Sequence, residues 1–116
     1  MSCNANLILQ PCIYLDTWDG LSDISFTSDG TAFASSLSLV RMFFRDEENV
    51  VGLELSSSNS TITINNANSW QFTINPVSPM TLTAGQWFWS IETTDSANIV
   101  KTRVFGTIEI LNDATR

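Results

Sequence analysis

Residues 84–110 constrain what this chain folds into more than any other stretch. The first arm reads Gln86-Trp87-Phe88-Trp89-Ser90-Ile91-Glu92-Thr93, and the second reads Ile99-Val100-Lys101-Thr102-Arg103-Val104-Phe105-Gly106-Thr107-Ile108-Glu109-Ile110. Both alternate with period two, as half-buried strands do, because successive side chains point to opposite faces. Trp87, Trp89 and Ile91 share one face of the first arm. Val100, Val104, Ile108 and Ile110 share one face of the second, with Gly106 among them. The intervening Thr94-Asp95-Ser96-Ala97-Asn98 is polar and of hairpin length.

The rest of the chain continues in the same manner. Ala5–Leu9 and Ile13-Tyr14-Leu15 are apolar runs broken at Pro11, which suits an edge element. Asp19-Gly20 is a turn signal, since glycine accepts positive φ. Residues 23–28 alternate as a strand that Asp29-Gly30 closes. In the strand predicted over 36–45, the outward face carries Arg41, Phe43 and Arg45, so Val40, Met42 and Phe44 face inward. Asp46-Glu47-Glu48-Asn49 reads as a solvated acidic loop, and residues 50–55 as a strand with Leu53 and Leu55 on one face. Ser56-Ser57-Ser58-Asn59-Ser60 reads as a flexible linker. Thr61–Ile64 and the alternating Trp70, Phe72 and Ile74 form a hairpin around Asn65-Asn66-Ala67-Asn68. Pro76 and Pro79 mark a crossing loop.

Seven or eight strands at this spacing predict an all-β, antiparallel two-sheet sandwich. At 116 residues the chain is one domain spanning 1–116, with residues 1–6 as an N-terminal arm. The expected core is Val40, Met42, Phe44, Leu53, Leu55, Trp70, Phe72, Trp87, Trp89, Ile91, Val104 and Ile108. Gly85 sits where a turn requires positive φ, and Gly106 leaves room on the core face for the ring of Trp87 or Trp89.

Composition bears on function mainly by exclusion. Histidine is absent, which removes the usual general base and nucleophile activator. The five glycines are scattered, so there is no phosphate-cradling loop. Twelve carboxylates form no recognisable catalytic pair. These features point away from an enzyme, and no catalytic residue is assigned. Asp16, Asp19, Asp23 and Asp29 lack the spacing of a calcium loop, and turn formation accounts for two of them. Two cysteines, Cys3 and Cys12, make neither a disulfide framework nor a zinc site. No metal or cofactor is expected. A net charge of −7 repels phosphate backbones and anionic bilayers, so neither nucleic acid nor membrane is an expected partner. The start lacks the basic region of a signal peptide, which points to synthesis in a cytoplasm.

Four aromatic residues outside the expected core bear on function. Trp18 lies in a polar turn region, where it either closes an open end of the sandwich or stands out as an interface anchor. Phe43, Phe88 and Phe105 fall on outward faces by alternation. Several such rings on one surface suggest a partner face, against the alternative that a loop or the N-terminal segment covers them. A second class of function, carbohydrate binding or host adhesion, requires an exposed aromatic platform, for which Trp18 and Trp70 are the candidates.

In its motifs the chain resembles a family of small bacteriophage and prophage virion proteins with an immunoglobulin-like β-sandwich, including the N-terminal domain of baseplate upper proteins. The resemblance runs over nearly the whole chain from Leu7. It is carried by Asp16-Thr17, Asp29-Gly30, Val40-Arg41-Met42-Phe43-Phe44-Arg45, Leu53-Glu54-Leu55 and Ile62-Thr63-Ile64. Its strongest part is Leu82-Thr83-Ala84-Gly85-Gln86-Trp87-Phe88-Trp89, with the closing Arg103-Val104-Phe105-Gly106-Thr107-Ile108 and the terminal Ala114-Thr115-Arg116. Trp87 and Trp89 stand where tyrosine is commoner in that family. The resemblance implies a non-enzymatic virion structural protein, present in several copies beside other tail, baseplate, neck or fibre-attachment proteins. A capsid decoration protein is the closest variant of that reading.

Overall fold

The computed structural model describes residues 5–8, 12–13, 16–26 and 35–112. They form nine strands: β1 (Ala5–Ile8), β2 (Cys12–Ile13), β3 (Leu21–Ser25), β4 (Leu37–Arg45), β5 (Val51–Ser56), β6 (Ile62–Asn66), β7 (Gln71–Ile74), β8 (Gly85–Asp95) and β9 (Val100–Leu111). No helix occurs among the described residues. One sheet has the order β1-β9-β8-β4-β5, with β2 also on β9; the other is β3-β7-β6. With β3, β7 and β6 as the B, E and D strands, and β4, β5, β8 and β9 as C, C′, F and G, this is the strand order of an immunoglobulin-like sandwich. The protein is all-β and has that fold.

The N-terminal edge accounts for the ninth strand. Its two short segments both run parallel to β9, whereas the other pairings are antiparallel. The arm expected over residues 1–6 is already strand at Ala5, where Ala5 pairs with Val104. Residues 1–4 lie outside the described residues, as do Asp29-Gly30 and the end of the strand expected over 23–28.

The core forms where the inward faces of the two sheets meet. Val40, Met42 and Phe44 of β4 are fully buried, as are Phe72 and Ile74 of β7. Leu55, Trp89, Ile91, Val104 and Ile108 join them, and Leu53 and Trp87 pack against this cluster while partly exposed. Trp87 is therefore a half-buried ring at the margin, in contrast to Trp89. The ring of Trp87 lies over Gly52, where an added Cβ would come within 2.6 Å of it. Gly52 is the extra residue of a bulge, since Phe44 pairs with Leu53 while Arg45 pairs with Val51. Gly106 is buried between Trp89 on β8 and Leu7 on β1 in the sheet register. Gly85 has φ 136°, a conformation open to glycine.

Two bulges and a turn displace residues that simple alternation places elsewhere. Ile91 pairs with Val104 but Glu92 pairs with Thr102, so Arg103 is an extra residue in β9. Beyond it the faces exchange. Val100, expected on the core face, stands opposite Thr94 and is exposed. Arg103 instead turns toward the core side, where Nε donates to Thr93 Oγ1 at 3.0 Å and the guanidinium lies 5.1 Å from the Trp70 ring centre. Trp70 precedes β7 and has φ 55°, a left-handed conformation unusual for so bulky a residue. Its ring is nevertheless buried, and its indole N–H donates to the Ser35 carbonyl at 2.7 Å. Burial of a large ring and a satisfied N–H outweigh a backbone strain of about 1–3 kcal/mol.

Paired turns explain how the long strands reverse. Asp46 Oδ1 accepts the amides of Glu48 and Val50, both at 2.9 Å. Asp95 Oδ1 accepts those of Ala97 at 2.9 Å and Ile99 at 3.0 Å. Asn49 and Asn98 take the left-handed position in each turn, with φ 67° and 63°. An Asp-x-x-Asn-Val/Ile pentapeptide thus occurs twice, in Asp46–Val50 and Asp95–Ile99, and builds the same hairpin each time. The Ser56–Ser60 stretch, expected as a flexible linker, is likewise a hydrogen-bonded turn, with the Thr61 Oγ1 accepting the Ser56 amide at 2.7 Å. Asp95 is only 8% exposed. Asp95→Ala leaves two amides without an acceptor and is expected to cost about 1–3 kcal/mol in a urea melt. Asp95→Asn, which retains an acceptor oxygen, is expected to recover most of the loss.

Candidate protein-interaction face

Each of β4, β5, β8 and β9 turns one row of side chains inward, so the opposite row faces outward. In register across the middle of that outer face stand Glu54 of β5, Phe43 of β4, Ser90 of β8 and Phe105 of β9. The adjacent row holds Val51, Arg45, Phe88 and Thr107. The row on the other side holds Arg41, Glu92 and Thr102. Among the described residues the smaller sheet lies on the far side, so these rows face away from the core.

The three phenylalanines have different surroundings. Phe43 is half-buried, with the guanidinium groups of Arg41 and Arg45 at 5.3 Å and 4.7 Å from its ring centre. Arg41 is also ion-paired with Glu92. The two guanidinium groups thus lie over the Phe43 ring and cover it. Phe88 and Phe105 have no such cover and are 42% and 44% exposed. Between them and the turn at Asp46, Glu47 and Asn49 is an open depression of about 350 Å³, with Arg45 and Ser90 on its walls. It is an indentation in a flat sheet, without an enclosed site for a reacting group.

Trp18 does not belong to this face. It is 8% exposed and meets Phe44 edge-on, with ring centres 5.8 Å apart. Its amide donates to the Val77 carbonyl at 2.8 Å and its carbonyl accepts the Val77 amide at the same distance. This short bridge draws the polar turn over the end of the sandwich and turns the indole inward. The interface role considered for Trp18 is therefore corrected to a core-closing one. With Trp70 also buried, neither tryptophan proposed for a carbohydrate platform presents a face to solvent.

The crossing loop contributes two core residues that periodicity does not reveal. Met80 and Leu82 are buried, although they lie between proline and turn residues. The Met80 amide donates to the Asp16 carbonyl at 2.8 Å, which ties this loop to the same turn that carries Trp18. Their apolar character inside a proline-rich loop is the only signal in the sequence that points to them.

Among the described residues no three His, Cys, Asp or Glu side chains group as metal ligands. Asp29 lies outside those residues. No helix there is long and apolar enough to cross a membrane.

No protein-family model matches the chain. No curated protein matches it either. Among solved structures, CopC from Methylosinus trichosporium OB3b is similar at 8% identity and a TM-score of 0.40, over 78% of this chain and 94% of that one.

Proposed function

We propose that this protein is a non-enzymatic structural module of a bacteriophage virion, an immunoglobulin-like adaptor in the tail, baseplate, neck or fibre-attachment region. Its work is passive: a rigid sandwich presents a flat face that neighbouring virion proteins bury. The observation that supports this reading is the pair of uncovered rings, Phe88 and Phe105, diagonal neighbours on adjacent strands of the larger sheet. Aromatic residues on a surface rimmed by arginine and carboxylates have the composition of an interface centre with a polar rim. The virion context comes from the sequence resemblance, with its Leu82–Trp89 motif and Arg103–Ile108 strand. The rings sit on strands, so partner contacts would be held by rigid elements and repeated identically in each copy.

The test is incorporation into particles. Phe88→Asp/Phe105→Asp leaves every core residue in place and is expected to fold, as judged by an unchanged far-ultraviolet circular dichroism spectrum. Wild-type chain is expected to copurify with phage particles, and the double variant to be missing from them. A wild-type chain absent from particles, or a variant incorporated as well as wild type, would overturn the proposal.

A further inference from the structure

We infer that the neighbour seated on this face is a second copy of the same chain, packed sheet against sheet about a two-fold axis. The inference rests on the reading of the face as an assembly surface and goes on to name its occupant.

The distribution of exposed apolar residues is the first ground. Val50, Val51, Phe88, Ile99, Val100, Phe105 and Leu111 are the large exposed hydrophobics, and all lie on β5, β8, β9 or the turns leading into them. Phe88, Phe105, Val100 and Leu111 share the outer side of β8 and β9, by alternation and by the face exchange at Arg103. The three strands of the smaller sheet contribute none among the described residues. One side of this sandwich is thus an ordinary polar surface and the other is not.

The second ground is size. The larger sheet is five strands wide, β1-β9-β8-β4-β5, and its central strands are 9 to 12 residues long. At about 4.8 Å between strands and about 3.3 Å per residue, that face measures roughly 24 by 30 Å, or roughly 700 Å². A stable interface of standard size buries roughly 800 Å² on each partner, so one copy of this face is nearly enough to cover another.

The third ground is charge. Two chains of net charge −7 repel each other, so self-association is restricted to a surface that offers both signs. Two of the five cationic side chains, Arg41 and Arg45, lie on this face, against the carboxylates of Glu54, Glu92 and Glu109. Arg41 is ion-paired with Glu92, and Arg45 has no salt bridge among the described residues. Arg45 is thus open to a carboxylate of a second copy, which carries three on the same face.

The geometry also gives the axis. β8 is the central strand, and Ser90 is its middle residue, between Phe43 and Phe105 in register. A two-fold axis through the centre of the face passes close to Ser90, which therefore meets Ser90 of the other copy. Face-to-face sheets pack about 10 Å apart, near enough for side chains of both copies to interdigitate.

Two measurements on the full-length chain test this. Sedimentation velocity at roughly 100 µM, where an interface of micromolar affinity is filled, is expected to give a dimer. Phe88→Asp and Phe105→Asp are each expected to weaken it by about tenfold or more, and the double variant to sediment as a monomer. In the second measurement, Ser90→Cys is treated with a bis-maleimide of about 10 Å reach, matching the separation of facing sheets, and is expected to yield a covalent dimer. The wild-type chain, treated identically, is the control for Cys3 and Cys12, and is expected to stay uncrosslinked. A monomeric wild type, or a dimer that survives the double substitution and fails to crosslink through residue 90, would overturn the inference. If the wild type is monomeric but the double variant is still lost from particles, the face serves a different virion protein, and only the homodimer fails.

Discussion

Trp89→Ala is expected to lower the unfolding free energy by about 3–5 kcal/mol. Trp89 is 1% exposed and lies at the centre of the larger sheet, opposite Phe44 on one neighbouring strand and Gly106 on the other. Its indole N–H donates to the Thr107 carbonyl at 3.2 Å, so the substitution removes a hydrogen bond as well as a ring. The surrounding β-sheet ladder resists collapse, and the cavity is therefore expected to stay open. Such a loss is a large share of the roughly 5–15 kcal/mol typical of a single domain. The measurement is a urea melt in which the midpoint falls and the slope is unchanged. Trp87→Ala supplies the comparison. That ring is half-buried, with its N–H donating to the Thr83 carbonyl at 2.9 Å, and its removal is expected to cost distinctly less. Equal losses at the two positions would contradict the placement of Trp89 inside and Trp87 at the margin.

Gly20→Ala is expected to be nearly as damaging, by about 2–5 kcal/mol, although it adds one methyl group outside any strand. Gly20 has φ 75°, and an ideal Cβ there would lie 2.1 Å from the Ile74 carbonyl oxygen and 2.9 Å from the Asn75 carbonyl carbon. Both obstacles are backbone, so no side chain can rotate away. The next residue, Leu21, opens the pairing of β3 with β7 at Ile74. Accommodating the methyl group means separating those strands at their first pair and loosening the Trp18 turn with them. Gly85→Ala separates the two contributions. Gly85 has φ 136° and open space around an added Cβ, so that variant carries conformational strain alone, about 1–3 kcal/mol. Circular dichroism melts of the two variants are expected to rank Gly20→Ala as the less stable. The reverse order would show that β3 does not approach Ile74 this closely.

The candidate face is partly legible in the order of residues. Alternation alone puts Phe43, Phe88 and Phe105 outward, since their neighbours on each strand are the apolar ones. It does not reveal that Arg41 and Arg45 close over Phe43 and leave the other two rings open. That depends on which rotamers the cross-strand neighbours allow. Trp18 shows the opposite limit: its local sequence is a polar turn, and a backbone bridge to the distant Val77 buries it. Met80 and Leu82 are buried for the same kind of reason, in a loop whose prolines indicate only that it is no central strand.

The order of polar and apolar residues was by itself sufficient to determine an all-β sandwich, the inward set of β4, β7 and β8, and the absence of histidine-based chemistry. These properties are local, because period two follows from the geometry of one strand and composition needs no geometry at all. Tertiary structure decided the rest. It set the parallel pairing of the N-terminal edge, the bulges at Gly52 and Arg103 that exchange faces along β5 and β9, and the left-handed backbone at Trp70. An extra residue in one strand is defined only against its partner, and a strained conformation persists only where distant burial outweighs it. Neither can be read from a strand considered alone.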